Sequence, residues 1–172
     1  MEKKKSPMAL LTEERYQALS AFWQAHPAAG RAVKQVNQIL TGAVYLAYPA
    51  MLLYLFVTRD ERLVRCILIP GISFALVSLL RKAIGARRPY EVYGGTPLIQ
   101  KDTVNNSFPS RHVFSVFVIG MTGFYLHPAL GGILFVIGVF LAVVRVLGGV
   151  HFPKDVAAGA GLGILAGLLF LL

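Results

Sequence analysis

Five predominantly apolar stretches set the rhythm of the chain: Ile39 to Val57, Leu63 to Leu80, Val113 to Leu126, Ala129 to Leu147 and Val156 to Leu172. Each is near the roughly 17 to 25 residues that cross a ~30 Å hydrocarbon core as a helix. The third is short, and reaches adequate length if its helix begins around Ser110. The pattern predicts an all-α fold, a polytopic transmembrane helical bundle of about five spanning helices. Upstream, Met8 to Val36 mixes Glu13, Glu14, Arg15, Arg31 and Lys34 with Leu10, Tyr16, Phe22 and Trp23. Such mixing predicts an N-terminal amphipathic interfacial helix with Trp23 at head-group depth, or else a helix packed on the bundle. Lys3, Lys4 and Lys5 are not followed by a clean apolar core and a small-residue cleavage site, so a cleaved signal is not expected.

The polar connections carry as much information as the spans. Thr58 to Arg62 and His127 to Pro128 are tight turns, whereas Arg81 to Ser110 is long for a membrane bundle, and long loops usually carry function. With five spans, the polar clusters around 81 to 112 and 145 to 155 fall on one face of the membrane and can form one site. In the last span Gly159, Gly163 and Gly167 recur every four residues, which predicts close approach of a neighbouring helix. No internal repeat or linker divides the chain. A single domain over 1–172 is expected, with an interfacial segment at 1–37 and the helical bundle at 38–172.

Composition sharpens this picture. With 56% apolar and only 15% charged residues in 172, the chain lies outside the usual soluble composition, and neither a disordered tail nor a disulfide scaffold fits. The net charge of +9 points to anionic partners, and the apolar content favours phospholipid or phosphorylated substrates over nucleic acid. The single cysteine, Cys66, cannot form an internal disulfide.

Three clusters carry candidate chemistry: Arg81 to Tyr90, Ser107 to His112, and Arg145 with His151 and Asp155. Singly, each has a plain reading as head-group binding or a structural histidine. Together they match the needs of phosphoryl transfer, in which fixed cations and donors must face the charge on the equatorial oxygens. Arg81, Arg88 and Arg145 offer permanently charged planar forks, Ser110 a hydroxyl, and the start of the third span free backbone N–H groups. His151 can attack phosphorus if its other ring nitrogen is held by a carboxylate, and Asp155 lies one helical turn on. His112 is the candidate general acid for the leaving oxygen. His26 and His127 lie outside the clusters and receive no chemistry.

These residues resemble the three-part signature of the type 2 phosphatidic acid phosphatase superfamily, in its membrane lipid phosphatase branch, which is similar in fold to vanadium haloperoxidases. The family pattern is Lys-x6-Arg-Pro, then Pro-Ser-Gly-His, then Ser-Arg-x5-His-x3-Asp. Here Arg81, Arg88 and Pro89 stand in the first part, Pro109 to His112 in the second, and Arg145, His151 and Asp155 in the third. The resemblance implies a transient phosphohistidine at His151, partnered by Asp155, with His112 as acid. It implies phosphate binding by Arg81, Arg88, Ser110, Arg111 and Arg145, and neither metal nor other cofactor. Lys82, in a shifted register, and Pro109 are further candidates. The chain departs from the pattern at Arg81 for Lys, Arg111 for Gly and Val144 for Ser, none of which removes the nucleophile, acid or carboxylate.

The expected function is hydrolysis of a phosphomonoester or diphosphate lipid of the undecaprenyl diphosphate, phosphatidylglycerophosphate or phosphatidic acid type. The alternative is a membrane protein that binds or moves phospholipids without catalysis. A multi-pass position in the cell membrane is expected, with the site facing outward. The expected partners are the bilayer and a phosphorylated lipid, and no nucleic acid.

Overall fold

A computed structural model describes residues 11–100 and 104–172. Lys3, Lys4 and Lys5, with the first residues of the expected interfacial segment, lie outside the described residues. The order is α1 (Glu13–Ala25), α2 (Pro27–Val57), α3 (Arg62–Ile84), α4 (Pro89–Tyr93), α5 (Arg111–Leu126), α6 (Pro128–Leu147) and α7 (Pro153–Gly167), ending in a 3₁₀ turn, Leu168–Leu171. The fold is an all-helical polytopic bundle. Among the described residues four segments are long and apolar enough to cross a membrane: Pro27–Val57, Arg62–Tyr93, Pro128–Leu147 and Pro153–Leu171. The fifth expected span is the shorter apolar helix α5.

The polar N-terminal stretch does not form one element. The backbone breaks at His26, which precedes a proline and is therefore kept out of the helical region (φ −125°, ψ 67°). Pro27 then starts α2, which runs without interruption into the first span. Residues 27 to 36, expected to lie with the interfacial segment, are the first turns of a 31-residue helix. At 1.5 Å per residue such a helix is about 46 Å long, well beyond a ~30 Å core, so part of α2 projects past the hydrocarbon. Helix α1 packs against the same end of the bundle. The Trp23 indole donates to Leu147 O at 2.9 Å, Gln17 Nε2 donates to Tyr93 O at 2.8 Å, and Tyr16 is buried.

Helix α5 is the axis of the bundle, packed most extensively against α6 and α7. Val113, Phe114, Val116, Val118 and Ile119 are buried along it, which explains why a short helix suffices here. The glycine stripe of α7 makes the approach possible. A methyl group on Gly159 would sit 2.5 Å from Ser110 O, and one on Gly163 2.7 Å from Phe114 O, so the two backbones touch. In α3, Pro70 has no N–H for Cys66 O, and the Tyr48 hydroxyl of α2 donates to that carbonyl instead at 2.8 Å. The α2–α3 turn closes through Asp60, whose carboxylate accepts from the Arg62 backbone N–H and guanidinium.

Candidate active site

The three polar clusters meet at one end of the bundle. Arg81 lies in the last turn of α3, Arg88 immediately precedes α4, Ser110 caps α5, and Arg145 lies in the last turn of α6. His151 lies between α6 and α7, and Asp155 in the first turn of α7. All six are buried. The start of α5 is tied to α7 by a backbone hydrogen bond from Ser110 N to Asp155 O at 2.8 Å, which brings the second cluster onto the third.

The carboxylate of Asp155 organises the centre. Its Oδ2 accepts from Phe152 N at 2.9 Å, reaching back across the first turn of its own helix, and from the Ser107 hydroxyl at 2.5 Å. It lies 3.6 Å from His151 Nδ1. Ser107 Oγ itself lies 3.4 Å from the same ring nitrogen. The serine hydroxyl thus stands between carboxylate and imidazole, and the nitrogen facing them is the one expected to carry the proton. Burial strips the imidazolium of water and pushes the pKa of His151 down to about 4, against the pull of Asp155 and with the help of the Arg88 charge. The ring is therefore neutral at pH 7, with Nε2 unprotonated when Nδ1 carries the hydrogen.

The arginines have structural partners as well as free donors. Arg81 donates through Nη1 to Pro109 O and through Nη2 to Asn106 O. Arg88 donates through Nε to Asn105 O at 3.2 Å and through Nη1 to Val150 O at 3.1 Å. Each guanidinium has five N–H donors, so these bonds leave donors for an anion. Arg145 is 2% exposed, and its Nε has no hydrogen-bond partner in the structure. The buried Ser110 hydroxyl also lacks one. An uncompensated cation and hydroxyl at such depth are costly unless an anion meets them.

The remaining predicted residues separate. His112 and Arg145 line one cavity, of about 500 Å³. Pro109 is buried and enters through its carbonyl. Arg111 is exposed and stacks 5.2 Å above the Phe74 ring, at the cavity edge and outside the buried arginine group. Lys82 is exposed as well, and Arg81 occupies the inward position. Sequence reasoning gave no role to Ser107 or Glu91. Glu91 accepts from Arg88 N at 2.6 Å and from Asn105 N at 2.8 Å, fastening the long loop to α4. The acidic residue in the first turn after Arg88-Pro89 was the available signal for Glu91.

The chain is 33% identical over 128 residues to the bacitracin transport permease protein BcrC of Bacillus licheniformis, covering 72% of this chain and 62% of that one. It is 32% identical over 96 residues to the lipid A 1-phosphatase of Rhizobium etli, covering 53% and 41%. The chain thus spans less than two thirds of these curated relatives. The crystal structure of Aquifex aeolicus LpxE superimposes with a TM-score of 0.72 at 26% identity, covering 99% of both chains. The crystal structure of a transmembrane PAP2-type phosphatidylglycerolphosphate phosphatase from Bacillus subtilis gives 0.59 at 25% identity, covering 91% and 90%. The profile of the PAP2 superfamily matches residues 62–172, which include every residue of the buried cluster, and on that match this chain belongs to the PAP2 superfamily.

Proposed function

We propose that this protein is a membrane lipid phosphatase that hydrolyses a phosphomonoester or diphosphate lipid through a phosphohistidine at His151. The observation that carries the proposal is the buried His151–Ser107–Asp155 arrangement beside Arg145. Anion binding needs cations, whereas a neutral imidazole with its Nδ1 side held by a hydroxyl and a carboxylate is what a nitrogen nucleophile needs. Nε2 of His151 attacks phosphorus as the P–O bond to the lipid breaks, and His112 gives its proton to the departing oxygen. Water then attacks phosphorus as its bond to His151 Nε2 breaks, His112 takes the proton from that water, and inorganic phosphate leaves. Arg81, Arg88, Arg145 and the Ser110 hydroxyl stabilise the equatorial oxygens throughout, as cations and donors fixed before reaction.

The substrate comes from the bilayer, since the cluster lies at the end of apolar helices. Two relatives or neighbours carry phosphatase in their names, and this agrees with the site. One is named a transport permease, which favours a second reading as a carrier or binder of phosphorylated lipids. Phosphate release from short-chain lipid phosphates and diphosphates by the purified protein and by His151→Ala decides between them. Release by the parent alone is expected, and equal near-zero release from both overturns the phosphatase reading.

An outward-facing site is part of the proposal. Thr96 lies exposed in the loop beside the site. In a Cys66→Ala background, Thr96→Cys is expected to react with a membrane-impermeant thiol reagent in intact cells. Protection until the cells are opened would place the site inside.

A further inference from the structure

Helix α2 lies outside the residues matched by the family profile, yet it walls the cavity that holds His112 and Arg145. Lys34, Asn37, Gln38, Thr41 and Tyr45 all line that space. At 100° per residue they fall within an arc of roughly 100° on one side of the helix. Val33, Leu40 and Val44, on the adjoining side, pack into the apolar core. A polar face at the aqueous end of a spanning helix is ordinarily a solvated one. This face differs, because the Oδ1 of Asn37 and the Oγ1 of Thr41 are buried and have no hydrogen-bond partner in the structure. An amide can present either its carbonyl or its NH₂ to such a space, and a hydroxyl can donate into it.

Beside the cavity lies a second space of about 130 Å³ that shares Thr41, Tyr45 and His112 and is walled mostly by apolar residues such as Val44, Phe74, Val116 and Ile119, with Arg111 and Ser115 in its lining. The order across the two spaces is therefore Arg145 and His112, then the polar face of α2, then an apolar cleft between α2, α3 and α5. At about 500 Å³ the first space lies in the range that encloses a drug-sized ligand and exceeds what one tetrahedral anion fills. Among the described residues no carboxylate lines either space, and Lys34 adds a cation to the first as Arg111 does to the second.

We infer that the polar face of α2 is a second anion subsite, which holds the phosphate that stays on the lipid when the terminal phosphate of a lipid diphosphate is removed. This rests on the phosphatase reading above and assigns it a substrate class. The bond from the terminal phosphorus to the bridging oxygen breaks as the His151 Nε2–phosphorus bond forms. The bridging oxygen takes its proton from His112, which faces both spaces. The departing lipid phosphate lies against Lys34, Asn37 and Thr41, and its chain lies in the apolar cleft.

The test compares a short-chain prenyl diphosphate with the matching monophosphate in detergent. In Lys34→Ala the ratio of kcat/KM for diphosphate over monophosphate is expected to fall about tenfold, the scale of one charge-assisted hydrogen bond. Lys34→Arg is expected to restore the ratio, and the double variant Asn37→Ala/Thr41→Val to lower it. A ratio that stays at the parent value in Lys34→Ala, whether or not both rates fall, overturns the subsite. A second arm measures binding of the prenyl diphosphate, which His151→Ala cannot turn over for want of the nucleophile, to His151→Ala with and without Lys34→Ala by calorimetry. About tenfold weaker binding is expected, and equal affinity overturns the inference. Should the parent release no phosphate from any lipid, the phosphatase reading fails while this binding arm still judges the subsite.

Discussion

The hydroxyl of Ser107 donates to Oδ2 of Asp155 at 2.5 Å, with His151 Nδ1 3.4 Å away on its other side. The dyad expected from the spacing of His151 and Asp155 is thus a triad in space, with its third member drawn from a loop far along the chain. At 3.6 Å the carboxylate and ring are too far apart for a good direct hydrogen bond. The serine completes the connection.

Removing that hydroxyl is expected to act on turnover more than on binding. Ser107→Ala leaves the buried Nδ1–H and carboxylate poorly matched, and kcat should fall about ten- to a hundredfold with little change in KM. Ser107→Thr, which keeps the oxygen, should recover part of the rate, and the acidic limb of the pH profile should move in Ser107→Ala. Equal losses in both variants with an unmoved profile would make Ser107 a packing residue only.

The buried ring also makes a pH prediction. His151 titrates at about 4 in the folded chain, below its ordinary value of 6.5. Between those values the unfolded chain binds more protons, so stability rises with pH there. The contribution is fully present above about pH 6.5 and is lost as pH falls toward 4. Thermal midpoints in detergent should therefore drop over that window in the parent, with a shallower slope in His151→Ala. Phosphate release should persist well below pH 6.5 as far as the nucleophile is concerned, since its ring stays neutral.

At Arg145 charge alone is not expected to suffice. The guanidinium is 2% exposed and its Nε is unpartnered, so a planar fork faces the cavity from a fixed position. Arg145→Lys keeps the charge and loses the bidentate geometry. Turnover should fall at least about tenfold, as for loss of a charge-assisted bond. Parent-like kinetics in that variant would remove Arg145 from the phosphate site.

The contact of α5 with α7 offers a test away from the chemistry. A methyl group at Gly163 would lie 2.7 Å from Phe114 O and 2.8 Å from the Phe117 Cβ. Gly163→Ala should therefore cost about 1–3 kcal/mol and lower the thermal midpoint in detergent. Gly161→Ala, where nothing lies within 4 Å, is the control expected to be near neutral or mildly stabilising. Similar midpoints for the two variants would contradict the packing.

Much of this was legible before any coordinates. Hydropathy found the spans, and the length a span requires put the start of α5 near Ser110, its N-terminal flanking residue in the structure. What escaped had no periodic signal. Ser107 and Glu91 act from a loop, where neither spacing nor hydropathy says which backbone or carboxylate they meet. The outward placement of Arg111 and Lys82 has a rotational reason. Each follows a buried residue by one position, and about 100° of helix turn carries its side chain out of the cluster. Of the polar face of α2, Lys34 falls in the stretch whose mixed polar and apolar residues read as interfacial, and the continuity of α2 from Pro27 joins it to the spanning helix that carries Thr41 and Tyr45.

Arg81 and Arg88 grip the carbonyls of Asn106, Pro109, Asn105 and Val150, so these side chains fasten the backbone around the site as well as carrying the proposed phosphate contacts. Truncating either one loosens that backbone and removes the proposed ligand contact together, and an inactive alanine variant reports their sum. The same coupling runs in the opposite direction. An anion seated on the remaining N–H groups braces the backbone through the shared guanidiniums, so the protein alone should be more readily cut by protease around Asn105 and Asn106 than the protein holding a phosphate mimic.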